Sequence, residues 1–163
     1  MLNKLKQDKR FNQTKFSFGA TSAIITILGL ITGLDSLTHP KSSIFAGILV
    51  IALADNISDS MGIHIYQESE HLNEKEVWIS TLTNFLTRLG VSLSFLFLIA
   101  VLPLSLAVPC SVVWGLTLLA SISYIIAKDR NKNPFLAIVE HLSIAIFVII
   151  LSHLVGRWVI SKV

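Results

Sequence analysis

The chain carries very little charge for its length. Of its 163 residues, 14% are charged and 53% are hydrophobic, whereas a soluble domain is about 25% charged. Positions 89–127 contain no charged side chain, and the mean hydropathy is +0.71. This scarcity of charge excludes an ordinary soluble domain and predicts a single integral membrane domain.

Several functional signatures are also missing. Cys110 is the only cysteine, so no internal disulfide can form. The sequence has no Gly-x-Ser-x-Gly, His-Glu-x-x-His or Walker-type glycine loop, and we predict neither an enzyme nor a tightly bound cofactor. The pI of about 9.2 comes without basic residues interleaved with aromatics, so we expect membrane-facing basic loops and no nucleic acid.

The apolar runs predict an all-α integral membrane protein with five transmembrane helices. The expected spans are roughly 16–36, 42–66, 84–102, 110–127 and 134–158, with a short acidic cytoplasmic segment at 67–84. Pro103 and Pro109 divide the long uncharged run, and Asn133-Pro134 is a good N-cap and first position for the last helix. The first run is long enough for a full span and lacks a nearby small-x-small cleavage site, so we expect an uncleaved helix.

The lysines and arginines predict an N-in, C-out orientation. Ten lie on the segments assigned to the inner side and three on the outer side. The inner set is Lys4, Lys6, Lys9, Arg10, Lys15, Lys75, Arg88, Lys128, Arg130 and Lys132, and the outer set is Lys41, Arg157 and Lys162. The expected location is the cell (inner) membrane of a prokaryote, or a vacuolar-type membrane in a eukaryote.

Two aspartates interrupt the second apolar run. Asp55 and Asp59 are one helical turn apart, near mid-membrane, where each carboxylate costs about 2.5–3.5 kcal/mol on insertion scales. Such a pair favours cation or proton binding inside the bundle. The alternative is a protonated pair that hydrogen-bonds to Asn, Ser or Thr on other helices.

Further candidate ligands follow on the same helix. Met61 and His64 carry thioether and imidazole groups that suit softer divalent ions such as Fe²⁺, although Met61 could pack and His64 could lie at the interface. The acidic segment adds Glu68, Glu70, His71 and Glu74. If this segment is helical, Glu68 and His71 have the Glu-x-x-His spacing of carboxylate-bridged metal bundles. Otherwise it is a solvated acidic face that attracts cations.

Two further features concern the other helices. Glu140 and His141, near the inner side of the fifth helix, could belong to a transport pathway, or Glu140 could pair with Arg88. Gly29-x-x-x-Gly33 in the first helix has the spacing that lets two helices approach closely. An odd number of helices would build a two-sided pathway most simply as a C2 homodimer.

Local motifs resemble the vacuolar iron transporter family. The stretch Phe18-Gly19-Ala-Thr-Ser22-Ala23-Ile-Ile-Thr26 is similar to that family's first helix. Leu53-Ala54-Asp55-Asn56-Ile-Ser-Asp59-Ser60-Met61-Gly62 is similar to its second, and Gly156-Arg157 to the end of its fifth. The family usually has Asp-Gly where this chain has Ser22-Ala23, and many members have a larger cytoplasmic metal-binding domain where this chain has only 67–84.

The resemblance implies a five-helix homodimer that exports Fe²⁺ or Mn²⁺ from the cytoplasm in exchange for protons, with the metal as substrate. Asp59 with Met61 or His64 would then bind the metal, and Ser22 and Thr26 would supply oxygens from the first helix. Asp55 would exchange metal for protons. The alternative is a membrane scaffold or complex subunit that does not transport, in which the two aspartates only hold helices together.

Overall fold

The computed structural model describes the backbone of residues 2–37 and 40–162 and the side chains of residues 18–37 and 40–162. Within these ranges the chain is helical apart from short turns, which confirms the predicted all-α class. The helices are α1 (Leu2–Leu34), α2 (Pro40–Ser69), α3 (Glu74–Val101), α4 (Leu104–Asp129) and α5 (Pro134–Ile160). Of these described helices, α2 to α5 are long and apolar enough to cross a membrane.

Helices α1 to α4 all begin earlier than the predicted spans. Helix α3 starts at Glu74 because Asn73 caps it, its side-chain oxygen accepting a hydrogen bond from the Lys75 N–H at 3.0 Å. Helix α4 starts directly after Pro103 and contains Pro109 near its beginning, so only the first of the two prolines separates helices. The aspartates and Arg88 therefore belong to longer helices than the apolar runs alone indicate.

The start of α5 is as the sequence predicts. The side chain of Asn133 accepts a hydrogen bond from the Phe135 N–H at 3.0 Å, and Pro134 occupies the first turn. Proline is well suited to this position because its missing N–H would have no partner inside the helix. At the opposite end of the bundle, Lys41 donates to the carbonyl of Leu102 at 2.9 Å and so caps the end of α3.

Helix α1 lies at the centre of the bundle and contacts each of the other four helices. Its apolar residues form the core with side chains from α2, α3 and α4. The fully buried members include Ile24, Ile27, Leu28, Ile31, Ile44, Ile48, Phe95, Ile99 and Leu119. Many side chains of α5, by contrast, point out of the bundle, as expected for a helix that faces lipid.

Helices α1 and α5 cross at small residues. Gly29 and Gly33 of α1 face Ser152 and Gly156 of α5, and a Cβ atom on Gly156 would lie 3.0 Å from the carbonyl carbon of Gly33. Only glycine allows this backbone approach. The crossing confirms the prediction that the Gly29-x-x-x-Gly33 pattern is a close-packing surface.

Helix α2 contains a wider π turn at Ile51–Asp55, directly before the site. From Ile44 to His64 the residues that α2 buries recur every fourth position: Ile44, Ile48, Ala52, Asn56, Ser60 and His64. A regular α-helix has 3.6 residues per turn, so a four-residue stripe drifts around its surface. The π turn holds more residues per turn and reduces this drift, which keeps both halves of α2 facing the bundle.

Some residues of the predicted topology lie outside the described parts of the chain. Thr38 and His39 of the first turn are among them, as are the side chains of the five basic residues before Phe18 that entered the orientation count.

Candidate ion site between α2 and α3

The interface between α2 and α3 is polar along the half that adjoins the turn between these two helices. We call this set the polar seam. It consists of Asp55, Asn56, Asp59, Ser60, His64 and Gln67 on α2 and Ser80, Thr81, Asn84 and Arg88 on α3. On α3 the spacing is regular, because Ser80, Asn84, Arg88 and Ser92 are each one turn apart and all are buried.

Arg88 is the centre of the polar seam. Its guanidinium forms ion pairs with Asp55 through Nη2 and with Asp59 through Nη1, the latter at 3.0 Å, and its Nε donates a hydrogen bond to Asn56 Oδ1 at 2.9 Å. The Arg88 side chain is 1% exposed. By its position along α3 it lies about 20 Å from either end of that helix. Two carboxylates and one guanidinium leave this cluster with one excess negative charge.

Three sequence-based expectations about Arg88 are wrong. It was placed near the start of its helix, among the inner basic residues, but α3 begins at Glu74 and Arg88 is buried halfway along it. Without Arg88, nine lysines and arginines lie on the segments predicted to be inside and three on those predicted to be outside. The alternative pairing with Glu140 is also overturned, because Asp55 and Asp59 engage the guanidinium and Glu140 is exposed.

The π turn and Asn56 hold the guanidinium from the α2 side. The amide nitrogen of Asn56 donates to the carbonyl of Ala52, within the π turn, at 3.0 Å. This bond leaves the amide oxygen free to accept from Arg88. Asn56 is fully buried, so its orientation is fixed by these two partners.

Asn84 links the carboxylates to α1. Its Nδ2 donates to Ser60 at 3.1 Å and, more weakly, to Asp59 at 3.4 Å. Its Oδ1 is buried without a hydrogen-bond partner among residues 18–37 and 40–162, and it lies against Gly19 of α1, where a Cβ atom would be 3.2 Å from Asn84 Cγ and 3.3 Å from Arg88 Cγ. Gly19 of α1 therefore touches the cluster.

The aspartates are not sealed from their surroundings. The side chain of Asp55 is 44% exposed and that of Asp59 is 28% exposed. A carboxylate left in contact with lipid would be strongly unfavourable. These oxygens therefore need water, a bound cation, a proton or another protein surface.

His64 lies in the part of the polar seam nearest the α2–α3 turn. Thr81 donates its hydroxyl hydrogen to the Val77 carbonyl at 2.9 Å, so the 2.9 Å contact between His64 Nδ1 and Thr81 must be donated by the imidazole. The Nε2 atom faces Glu68 Oε1 at 3.8 Å, and the ring packs edge to face on Trp78. His64 is thus a buried histidine whose outward nitrogen is directed toward a carboxylate.

The acidic turn does not form the predicted Glu-x-x-His pair. Helix α2 ends at Ser69, and His71 adopts a left-handed backbone conformation with φ of 56°. Glu70, His71 and Glu74 are exposed around this turn. Within residues 18–37 and 40–162, no three side chains of His, Cys, Asp or Glu are grouped closely enough to hold a metal ion.

The remaining candidates lie apart from the cluster. Met61 is exposed and lines an apolar groove of about 430 Å³ together with Trp78 and Phe85, an environment that suits a packing residue. Ser22 is half-buried and Thr26 is exposed.

On α5, Glu140 is exposed, whereas His141 meets the hydroxyl of Ser123 at 2.7 Å. The Ser123 hydroxyl also bonds the Leu119 carbonyl at 2.6 Å, so His141 Nδ1 is the donor in this contact.

The polar seam ends at Arg88, and the buried Ser92 lies one turn further along α3. Beyond Ser92, away from the α2–α3 turn, the same faces of α2 and α3 bury Ile44, Ile48, Phe95 and Ile99. The interface is therefore polar from the α2–α3 turn to the middle of the bundle and apolar from there on.

The α3 half of this arrangement was not predicted from the sequence, and neither was the role of Asn56 on α2. Arg88, Asn84 and Asn56 were not assigned to the site, although the one-turn spacing of Ser80, Asn84, Arg88 and Ser92 in an otherwise apolar run is visible in the sequence. A polar stripe of this kind in a membrane helix indicates a buried, protein-facing surface.

No family model, curated protein or solved structure matches the chain. The likeness to vacuolar iron transporters therefore stays a prediction from local motifs.

Proposed function

We propose that the protein is a membrane transporter of cations whose substrate site is the Asp55–Asp59–Arg88 cluster. The observation that carries this proposal is the position of two partly exposed carboxylates at the end of a polar seam. Ionisable groups this far inside a membrane bundle usually belong to ion or proton pathways. The polar seam would provide the inner access route, and the apolar outer half would act as the closed gate.

The membrane arrangement proposed with this function has five spans, with the N-terminus inside and the C-terminus outside. The described apolar part of α1, Phe18–Leu34, rises about 26 Å, close to the roughly 30 Å of a bilayer core. The nine-to-three distribution of loop charges supports the orientation. A second copy of the chain covering the exposed side of Asp55 would complete a C2 homodimer.

Divalent metal is the substrate class that the family resemblance suggests, with Fe²⁺ or Mn²⁺ leaving the cytoplasm in exchange for protons. The exposed Glu68, Glu70 and Glu74 would raise the local concentration of cations at the inner end. His64 and Glu68 would form a first contact, because the outward nitrogen of His64 faces the Glu68 carboxylate.

The test is ion flux into liposomes that contain the purified full-length protein. Uptake of Mn²⁺, Fe²⁺, Ca²⁺ and Na⁺ is compared with and without a pH gradient, for the wild type and Asp59→Asn. The matched control is Asp129→Asn, the same chemical change at an exposed position outside the polar seam. Transport that is lost in Asp59→Asn and retained in Asp129→Asn supports the proposal; full transport in folded Asp59→Asn refutes it.

A second candidate is a membrane scaffold or subunit that does not transport. The ion pairs that Arg88 makes with both aspartates favour this candidate. Buried charges that are already paired can hold α2 and α3 together without having any further role. Absence of flux for every ion, from protein shown to be folded, would select this candidate.

A further inference from the structure

The turn between α4 and α5 is basic and has no part in the proposed ion site. We call residues 128–132 the basic turn. It contains three exposed basic residues and one exposed acidic residue: Lys128, Arg130, Lys132 and Asp129. Within residues 18–37 and 40–162 the ion pairs are those of Arg88 and His64, so the basic turn takes part in none of them. Its excess positive charge is therefore available to an anionic partner.

The side chains around the basic turn are those of a boundary between hydrocarbon and water. The Lys128 ammonium lies 5.9 Å from the centre of the Tyr124 ring, and Tyr124 is half exposed. Beyond the turn, Phe135 and Leu136 in the first turn of α5 are 70% and 63% exposed. Tyrosine is enriched at the level of lipid headgroups, where its ring meets both phases. A phospholipid at this turn would have its acyl chains beside α5 and its headgroup beside the basic residues.

The basic beginning of α1 reaches the same level of the bundle. Helices α1 and α5 run in the same direction, because the small residues of their crossing meet in the same order along both helices. Equal distances back from Gly33 and Gly156 reach Arg10 on α1 and Asn133 at the start of α5. Helix α1 packs on both α4 and α5, the two helices that the basic turn joins. The other charged residues of this part of α1 are Lys4, Lys6, Asp8, Lys9 and Lys15.

The second turn at this end of the bundle has the opposite charge. Helices α3 and α4 pack on each other and are joined at the far end, so the α2–α3 turn lies at the same end as the basic turn. Four exposed glutamates lie in and beside it: Glu68, Glu70, Glu74 and Glu76. Lys75 is the only lysine or arginine among them. Negative charge here repels an anionic partner, which is therefore directed toward α1 and the basic turn.

We propose that the basic turn and the basic beginning of α1 form one binding surface for the headgroups of anionic phospholipids. A cluster of about four to eight lysines and arginines beside a transmembrane helix is typical of such a surface, and each basic residue strengthens the binding about fivefold. The acidic α2–α3 turn stays clear of these lipids and remains open to cations. This inference does not depend on whether the protein transports an ion.

The experiment is native mass spectrometry of the purified full-length protein. The protein is released from micelles that contain equal amounts of phosphatidylglycerol and phosphatidylcholine with the same acyl chains, and the two bound lipids are counted. The wild type should retain phosphatidylglycerol in preference, and the preference should fall as the concentration of ammonium acetate rises. The double variant Arg130→Gln, Lys132→Gln should lower the preference by at least about tenfold.

Two further double variants locate the surface. Lys9→Gln, Arg10→Gln removes two charges from α1 at the level of the basic turn and should lower the preference by a similar factor. The matched control is Arg157→Gln, Lys162→Gln, which removes two exposed charges at the opposite end of the bundle and should leave the preference unchanged. Helical circular dichroism checks that each variant is folded.

Equal retention of the two lipids by the wild type would overturn the proposal. An equal loss of preference in all three double variants would also overturn it, because the binding would then follow total charge and not one surface. Loss in the turn variant without loss in the α1 variant would overturn the joint surface. Inorganic phosphate added as a competitor should not release the lipid; its release would show that the surface recognises a free anion and not a phospholipid. If a double variant fails to fold, the wild-type preference and Arg130→Gln alone decide.

Discussion

The Nη1 atom of Arg88 lies 3.0 Å from Oδ2 of Asp59, across the interface between α3 and α2. Replacing Arg88 with glutamine would leave Asp55 and Asp59 without their buried counter-charge. We expect Arg88→Gln to lower the free energy of unfolding by about 3–5 kcal/mol. Thermal or denaturant unfolding in detergent, followed by helical circular dichroism, measures this change.

Two further variants test whether charge causes that loss. Arg157→Gln removes an exposed arginine near the end of α5 and should leave the unfolding midpoint unchanged. The triple variant Arg88→Met, Asp55→Asn, Asp59→Asn removes every charge from the cluster and should recover most of the stability. If Arg88→Gln is as stable as the wild type, the ion pairs do not hold α2 and α3 together.

The crossing of α1 and α5 provides a second prediction. A Cβ atom on Gly156 would overlap the backbone of Gly33, which cannot move aside as a side chain could. Gly156→Ala should therefore destabilise the protein by about 1–3 kcal/mol, the usual cost of overpacking. Gly62→Ala is the control, because no atom lies within 4 Å of its added methyl group. Equal unfolding midpoints for both variants would contradict the close crossing.

Gly19 permits a sharper test of the site. The methyl group of Gly19→Ala would press on the Asn84 side chain, which can rotate, and so would disturb Asp59 more than it disturbs the fold. We expect cation flux to fall at least several-fold while the unfolding midpoint changes little. Gly90→Ala, with nothing within 4 Å of its added methyl group, should change neither quantity. Unchanged flux in Gly19→Ala would mean that the position of Asn84 does not matter for transport.

The contact between His64 and Trp78 allows the proposed metal contact at His64 to be tested by fluorescence. Their ring centroids are 4.5 Å apart. A paramagnetic ion such as Mn²⁺ bound to Nε2 of His64 would quench the indole, so fluorescence should fall on titration with Mn²⁺ and should not fall in His64→Ala. His153→Ala, at an exposed position on α5, should behave as the wild type. Quenching that persists in His64→Ala would mean that the metal binds elsewhere. The Trp78→Phe variant measures the background fluorescence change of the other two tryptophans.

The helices and the aspartates on the α2 side of the site could be predicted from the sequence. Apolar runs and turn residues locate all five helices, and the spacing of Asp55 and Asp59 marks them as neighbours on one face. The residue of α3 that pairs with this face, Arg88, was not predicted. It stands at the apparent start of an apolar run, so the sequence alone indicates a loop charge. Hydropathy reports where a helix is apolar, whereas Asn73 determines where α3 begins. The contact between Gly19 and Asn84 depends on how α1 packs, which no local pattern specifies.

The π turn at Ile51–Asp55 acts as one surplus residue in the middle of α2. If the same residues formed an unbroken α-helix, the half of α2 that carries Asn56 would be rotated by about 100° relative to the half that carries Ile44. Ile44 and Ile48 could then remain against the core only if Asn56 turned away from Arg88. By absorbing one residue, the π turn lets a single helix combine two properties: a face that fits the bundle and a face that presents its carboxylates to the arginine.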